Sequence, residues 1–257
     1  MQINGLRFMM VGGASGMGRA TAERVAAGGG KVAILDRAGS NGAEVASAIG
    51  GTYHECDILD FVGVESVVQE AVEALGGLDA AAITAGGGIA ARTLSKDGPH
   101  DLDAFRGVID LNLIGTFNLN RLQAWHMSKN EPNDDGERGC IINTASIAAF
   151  EGQIGQVAYT ASKAAIAGMA LVMARDLGGV GIRVNAIAPS LFDTGITAGI
   201  PEDFKDVLVK DSAFPKRMGQ PDEYARMAMA IIENPYFNGE TIRLDAGIRF
   251  QTKGSRS

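Results

Sequence analysis

The stretch LRFMMVGGASGMGRATAERVAAGGGKVAILD, residues 6–36, holds two short apolar runs separated by a glycine turn and a helical pattern. LRFMMV (6–11) has no alternation of apolar and polar residues, so it reads as a strand buried on both faces. The turn follows at once, and a helix runs from it to about Ala27. KVAILD (31–36) is the second buried strand. Two such strands joined through one helix lie parallel in a sheet.

The same alternation continues to the end of the chain. TYHEC, DAAAIT (79–84), GCIINTAS (139–146), IRVNAIAP (182–189) and ETIRLD (240–245) read as strands. Helical patterns fall over SNGAEVASAI, residues 62–75, Asp103 to His126, the segment around Tyr159, and Pro221 to about Glu233. The expected fold is therefore one doubly wound α/β (Rossmann) domain over 1–257, with about seven parallel strands and helices on both faces. Two stretches interrupt the rhythm. MSKNEPNDDGERG (127–139) reads as a polar, solvent-exposed loop, and residues 190–218 mix Gly, Pro and apolar residues where a doubly wound sheet binds ligands. The second stretch is expected to be a substrate lid.

Composition narrows the function classes. Hydrophobic residues make up 46% and charged residues 21%, enough for a large core. A formal net charge of −7 argues against a nucleic-acid binder. Cys56 and Cys140 have no CxxC spacing and read as reduced core thiols, and His54, His100 and His126 fit no metal-ligand spacing, so no metal is expected. No uninterrupted apolar run reaches membrane-spanning length and the first residues resemble no signal peptide; a cytoplasmic location without a membrane partner is the expectation.

Gly12, Gly16 and Gly18 form a Gly-x-x-x-Gly-x-Gly turn that opens a helix. Such a turn brings backbone close to a pyrophosphate and aims free N–H groups at it. Asp36 ends the second strand, where a carboxylate accepts hydrogen bonds from ribose hydroxyls and repels a 2′-phosphate, favouring NAD over NADP. Asp57, just past the third strand, is placed to meet the adenine. Farther along, Tyr159 and Lys163 stand four residues apart, on one face of a helix. Ser146 precedes them at the end of a strand, and Asn112 lies on the long helix before that.

Glycine turn, Asn, Ser and Tyr-x-x-x-Lys in this order resemble the short-chain dehydrogenase/reductase family over essentially the whole chain. The resemblance implies that Tyr159 is the general acid/base, Ser146 holds the substrate oxygen, Lys163 hydrogen-bonds the nicotinamide ribose, and Asn112 anchors a water of a proton relay. A neighbouring ammonium and a positive nicotinamide are expected to lower the phenol pKa. The implied cofactor set is Gly12, Ser15, Gly16, Met17, Gly18, Asp36, Asp57, Ile58, Thr84, Gly86, Tyr159, Lys163, Pro189, Phe192 and Thr194, around NAD. Three positions depart from the family pattern: Val11 for Thr, Thr84 for a structural Asn, and Ser190 for Gly.

Residues 130–163 and 214–249 resemble one subgroup, the enzymes that interconvert 3-hydroxyacyl-CoA and 3-oxoacyl-CoA in fatty acid metabolism, also described as acting on 17β-hydroxysteroids. This implies a small-molecule substrate and a homotetramer, with Ser146, Gln153, Gln156 and Tyr159 facing the substrate. The loop at 95–103 carries only Lys96, fewer cations than in that subgroup; Lys205, Lys210, Lys216 and Arg217 are alternative partners for the CoA phosphates. A dehydrogenase of steroids or other apolar secondary alcohols is the second reading, and a non-catalytic nucleotide-binding scaffold the third.

Overall fold

The computed structural model describes residues 1–195 and 208–250. β1 (Arg7–Val11) runs into α1 (Gly16–Ala27) and returns along β2 (Lys31–Asp36), in parallel register from Arg7 opposite Lys31 to Val11 opposite Leu35. α2 (Gly42–Ala48), β3 (Thr52–Glu55), α3 (Gly63–Leu75) and β4 (Ala80–Ile83) complete the first half. A small antiparallel hairpin, β5 (Leu94–Ser95) and β6 (Gly98–Pro99), leads into α4 (Leu102–Ile109), a π-helical turn (Asp110–Ile114) and α5 (Gly115–Met127). β7 (Gly139–Thr144), α6 (Val157–Gly178), β8 (Ile182–Pro189), α7 (Pro221–Glu233) and β9 (Thr241–Leu244) follow.

All seven long strands lie parallel in one sheet, in the order β3-β2-β1-β4-β7-β8-β9. The order reverses between β1 and β4, and their carboxyl ends define the crevice where a doubly wound sheet holds ligands. Each face buries its own core. α3, α5 and the end of α6 cover one with Val68, Leu75, Leu119, Met127 and Leu177. α1 and α7 cover the other with Ala22, Val25, Tyr224, Ile231 and Ile232. Burying each large side chain contributes about 1.5–3 kcal/mol, and β7 and β8 are buried along their whole lengths, as unbroken apolar runs require.

Three details differ from the expectations. The long helix from Asp103 is broken at Asp110–Ile114 by the π turn, which contains Asn112. The polar loop at 127–139 is exposed over 131–136 but not at its ends: Met127 is buried, and Glu137 is buried and accepts from Arg183 Nε through Oε1 at 2.6 Å. A glutamate in a run of Asn and Asp reads as solvated; its burial is explained by the arginine arriving from β8 and by the N-terminal ammonium of Met1, 3.1 Å from Oε2. Finally, α6 is by length and composition apolar enough to cross a membrane. Here it packs along β8, and a buried lysine sits near its start.

Of the expected lid, residues 196–207, with Lys205, lie outside the described residues. Its two flanks are tied together: Asp193 N donates to Gly219 O at 2.8 Å and Gly219 N to Leu191 O at 2.9 Å.

Candidate active site

The glycine turn sits at the carboxyl end of β1. Gly12 has φ +82°, and a Cβ there would stand 2.6 Å from Ala85 N, so the turn lies directly on the segment after β4. A Cβ at Gly18 would run into the Gly12 carbonyl. Thr84, where the family pattern has Asn, is drawn into this contact: its hydroxyl donates to Gly12 O at 3.1 Å and lies 3.3 Å from Val11 O. Val11 is buried, so loss of a hydroxyl there leaves no orphaned group.

The start of α1 suits an anion. Ser15 at the N-cap makes no side-chain capping bond, and the first turn carries no acidic residue. The leading N–H groups and the positive end of the helix therefore meet no carboxylate from the helix's own first turn. Asp36 Oδ2 accepts from Ala14 N at 2.9 Å and Oδ1 from Arg37 N at 2.8 Å, which holds the carboxylate over the edge of the turn. A pyrophosphate at the helix start and ribose hydroxyls at Asp36 fit these donors and acceptors. Thr194 lies within van der Waals reach of a Cβ built at Gly16, and Met17 packs partly into the core beneath.

The four expected catalytic side chains come from three parts of the fold, the π turn (Asn112), the end of β7 (Ser146) and α6 (Tyr159 and Lys163), and meet at one place. Lys163 is buried in α6, and its Nζ donates to the Thr144 carbonyl at the end of β7 at 2.7 Å. Its ammonium lies 5.7 Å from the centroid of the Tyr159 ring. Burial pushes the Lys163 pKa down to about 8. Tyr159 lies one turn back, with Gly88 so close that a Cβ there would stand 2.8 Å from the ring. Burial raises the phenol pKa, and the hydrogen bond with Ser146 partly offsets this. The lowering expected from the Lys163 ammonium together with a positive nicotinamide concerns the cofactor-loaded site; in the protein itself burial is the larger influence on the phenol. Ser146 caps the short 3₁₀ turn at Ile147–Ala149, accepting from Ala148 N at 3.1 Å.

Asn112 makes three hydrogen bonds within the protein. Its Oδ1 accepts from Gly87 N at 2.9 Å, and its Nδ2 donates to Gly87 O at 2.7 Å and Ser162 Oγ at 2.9 Å. The side chain thus clamps the glycine segment after β4, including Gly86, to α6. Sequence spacing gave no sign of Ser162 or Gly87 as its partners, because they are brought to it by the packing of α6 and of the segment after β4.

The remaining expected residues divide. Asp57 is exposed and accepts from Leu59 N at 3.0 Å, while Ile58 is buried against Gly115. Pro189 is buried at the end of β8 beside Leu244, and Phe192 lies in the core under Gly219. Gln153 and Gln156 hold their own loop: Gln156 Oε1 accepts from Gln153 N at 3.2 Å, and Gln153 Nε2 donates to Glu151 O at 3.2 Å. Of the two, Gln153 lines the neighbouring clefts. Ser190 continues the backbone ladder by donating from N to Leu244 O at 3.1 Å. Arg217 is committed to Glu223 at 2.8 Å, and Lys216 Nζ donates to Lys210 O at 3.3 Å.

A seven-stranded doubly wound sheet with a glycine turn and a Ser, Tyr, Lys set at its carboxyl edge defines a nucleotide-dependent oxidoreductase. A family model described as enoyl-(acyl carrier protein) reductase matches residues 12–249. The chain is 48% identical over 245 residues to 3-hydroxyacyl-CoA dehydrogenase type-2 of Drosophila melanogaster, covering 94% of this chain and 96% of that protein. It is 46% identical over 253 residues to the human protein of the same name, covering 97% of each. The crystal structure of 3-hydroxyacyl-CoA dehydrogenase type-2 from Mycobacterium avium superposes with a TM-score of 0.92 at 41% identity, covering 97% of this chain and 98% of that one. The chain belongs to the short-chain dehydrogenase/reductase family.

Proposed function

We propose that this protein is an NAD-dependent dehydrogenase that interconverts 3-hydroxyacyl-CoA and 3-oxoacyl-CoA. The observation that carries the reading is the full-length likeness, at 46–48% identity, to two proteins named for that reaction. The gathered Ser146, Tyr159 and Lys163 support it.

The nicotinamide cofactor supplies hydride transfer when bound. Gly12, Gly16, Gly18 and the start of α1 hold its pyrophosphate, and Asp36 its ribose, with preference for NAD. Tyr159 takes the proton of the substrate hydroxyl in oxidation and returns it in reduction. Its raised pKa makes the resting phenol a proton donor, matched to ketone reduction at neutral pH; oxidation draws on the positive charge of Lys163 and of the oxidised cofactor to stabilise the phenolate. Ser146 donates to the substrate oxygen as charge develops on it. Asn112 keeps the 86–88 segment against α6, so that the Tyr159 ring stays in place.

The homotetramer implied by the family draws support from the exposed apolar side chains of Phe117 and Trp125 on α5 and Leu171 and Val172 on α6. A reducing compartment such as the cytoplasm suits Cys56 and Cys140, both buried and unpaired.

The test is NADH oxidation with acetoacetyl-CoA and, separately, with a 17-ketosteroid. Thioester turnover that falls at least a thousandfold in Tyr159→Phe is the expected result. Turnover of the steroid alone moves the protein to the apolar-alcohol dehydrogenases, and equal rates for wild type and Tyr159→Phe reject the proton-transfer assignment.

A further inference from the structure

Beside the start of α6 lies a cleft of about 660 Å³, walled by Ala90, Gly152, Ile154, Gly155 and Phe250. A second cleft of about 760 Å³ adjoins it past Leu94 and Val157. Arg92 lines both and is the only cationic residue among the described residues that does. Its guanidinium makes no hydrogen bond or ion pair among the described residues. The other charges nearby cancel. Glu151 accepts both guanidinium N–H groups of Arg243 at 2.9 and 3.0 Å, and Asp245 bonds Arg243 and Arg249 at 2.7 and 3.0 Å. Two arginines face two carboxylates, which leaves Arg92 as the uncompensated charge at the mouth of an apolar cleft.

Its base is fixed relative to the reacting end. Ala91 N donates to Gly155 O at 2.8 Å, and Ala91 forms a bridge to Gln156, so the residue before Arg92 is stitched to the loop that opens α6. Gly88, against the Tyr159 ring, is four residues away, at most about 14 Å of extended chain. A pantetheine arm spans such a distance, and a planar guanidinium engages phosphate oxygens through two parallel N–H bonds. We propose that Arg92 binds the phosphates of the substrate's CoA moiety and makes this protein select CoA thioesters over their truncated analogues. The inference rests on the acyl-CoA reading of the site.

The experiment measures steady-state reduction of acetoacetyl-CoA and of acetoacetyl-N-acetylcysteamine, which keeps the thioester and lacks the nucleotide, by wild type, Arg92→Ala and Arg92→Lys. Arg92→Ala is expected to raise KM for the CoA thioester about tenfold, equivalent to about 1.4 kcal/mol. It should leave kcat and both constants for the truncated thioester unchanged, with partial recovery in Arg92→Lys. Adenosine 3′,5′-bisphosphate should compete with acetoacetyl-CoA in wild type and lose about tenfold in affinity in Arg92→Ala. An unchanged KM, or an equal rise for both thioesters, overturns the inference while the enzyme's reaction class stands. Wild type inactive on both thioesters overturns the functional reading and the inference with it.

Discussion

Replacing Lys163 by methionine tests how much stability the site gives up to keep an ammonium in the core. The lysine is buried, and its one acceptor among the described residues is the Thr144 carbonyl at 2.7 Å. Its pKa falls from 10.5 in the unfolded chain to about 8 in the folded one. At about 1.4 kcal/mol per pH unit, holding the proton at pH 7 disfavours the folded state by about 3 kcal/mol. Methionine removes that burden and fills a similar volume, but it orphans the Thr144 carbonyl, worth about 1–3 kcal/mol. The net expectation is a variant without catalysis whose stability at pH 7 exceeds wild type by about 1 kcal/mol, or about 2–4 °C in Tm. Its pH dependence is the sharper test. Between about 8 and 10.5 the unfolded chain keeps the Lys163 proton and the folded chain has released it. Folding therefore expels a proton, and stability rises with pH. Urea unfolding at pH 7 and 9.5 should show wild type gaining about 2 kcal/mol relative to Lys163→Met over that interval. Parallel stability curves for the two proteins would refute the buried-ammonium argument.

Two further outcomes follow from the same geometry. Asp36→Ser removes the carboxylate that repels a 2′-phosphate while leaving Arg37 beside it, so kcat/KM with NADPH relative to NADH should rise more than tenfold in paired assays; an unchanged ratio would show that Asp36 does not set cofactor choice. Glu137→Ala leaves the buried Arg183 guanidinium bonded to the carbonyls of Ile231, Ile232 and Phe237 but without its counter-charge. Breaking such a pair removes about 3 kcal/mol at the lower end of the usual range, which thermal unfolding should register as a fall of about 6–12 °C, with catalysis at 25 °C retained.

What could be read from the sequence was whatever a short-range pattern encodes. The glycine spacing, the unbroken apolar strands and the four-residue interval of Tyr159 and Lys163 are local, and IRVNAIAP and Pro221–Glu233 match β8 and α7 at both ends. The unread features depend on partners far apart in the chain. Nothing near Glu137 announces Arg183, and nothing near Thr84 announces that its hydroxyl will hold the Gly12 carbonyl. The direction in which the protein alone moves the phenol pKa is unreadable for a related reason: a pair of residues is visible in a sequence, whereas the depth of their burial belongs to the fold. The π turn at Asp110–Ile114 lies within a continuous helical pattern, and its register shift is set by the Asn112 clamp on Gly87 and Ser162.

Thr144 gives the sheet a property of its own. Its carbonyl receives Lys163, while its hydroxyl meets both Ile83 O and Tyr224 OH at 2.6 Å. Tyr224 belongs to α7, on the opposite face of the sheet from the body of α6. One residue therefore acts as a rivet through the floor of the fold, with the proton-handling amine at one head and a structural phenol at the other. For protein engineering, the two layers are not separable modules: repacking α7 around Tyr224 to gain thermal resistance would retune the seat of the lysine on the far side.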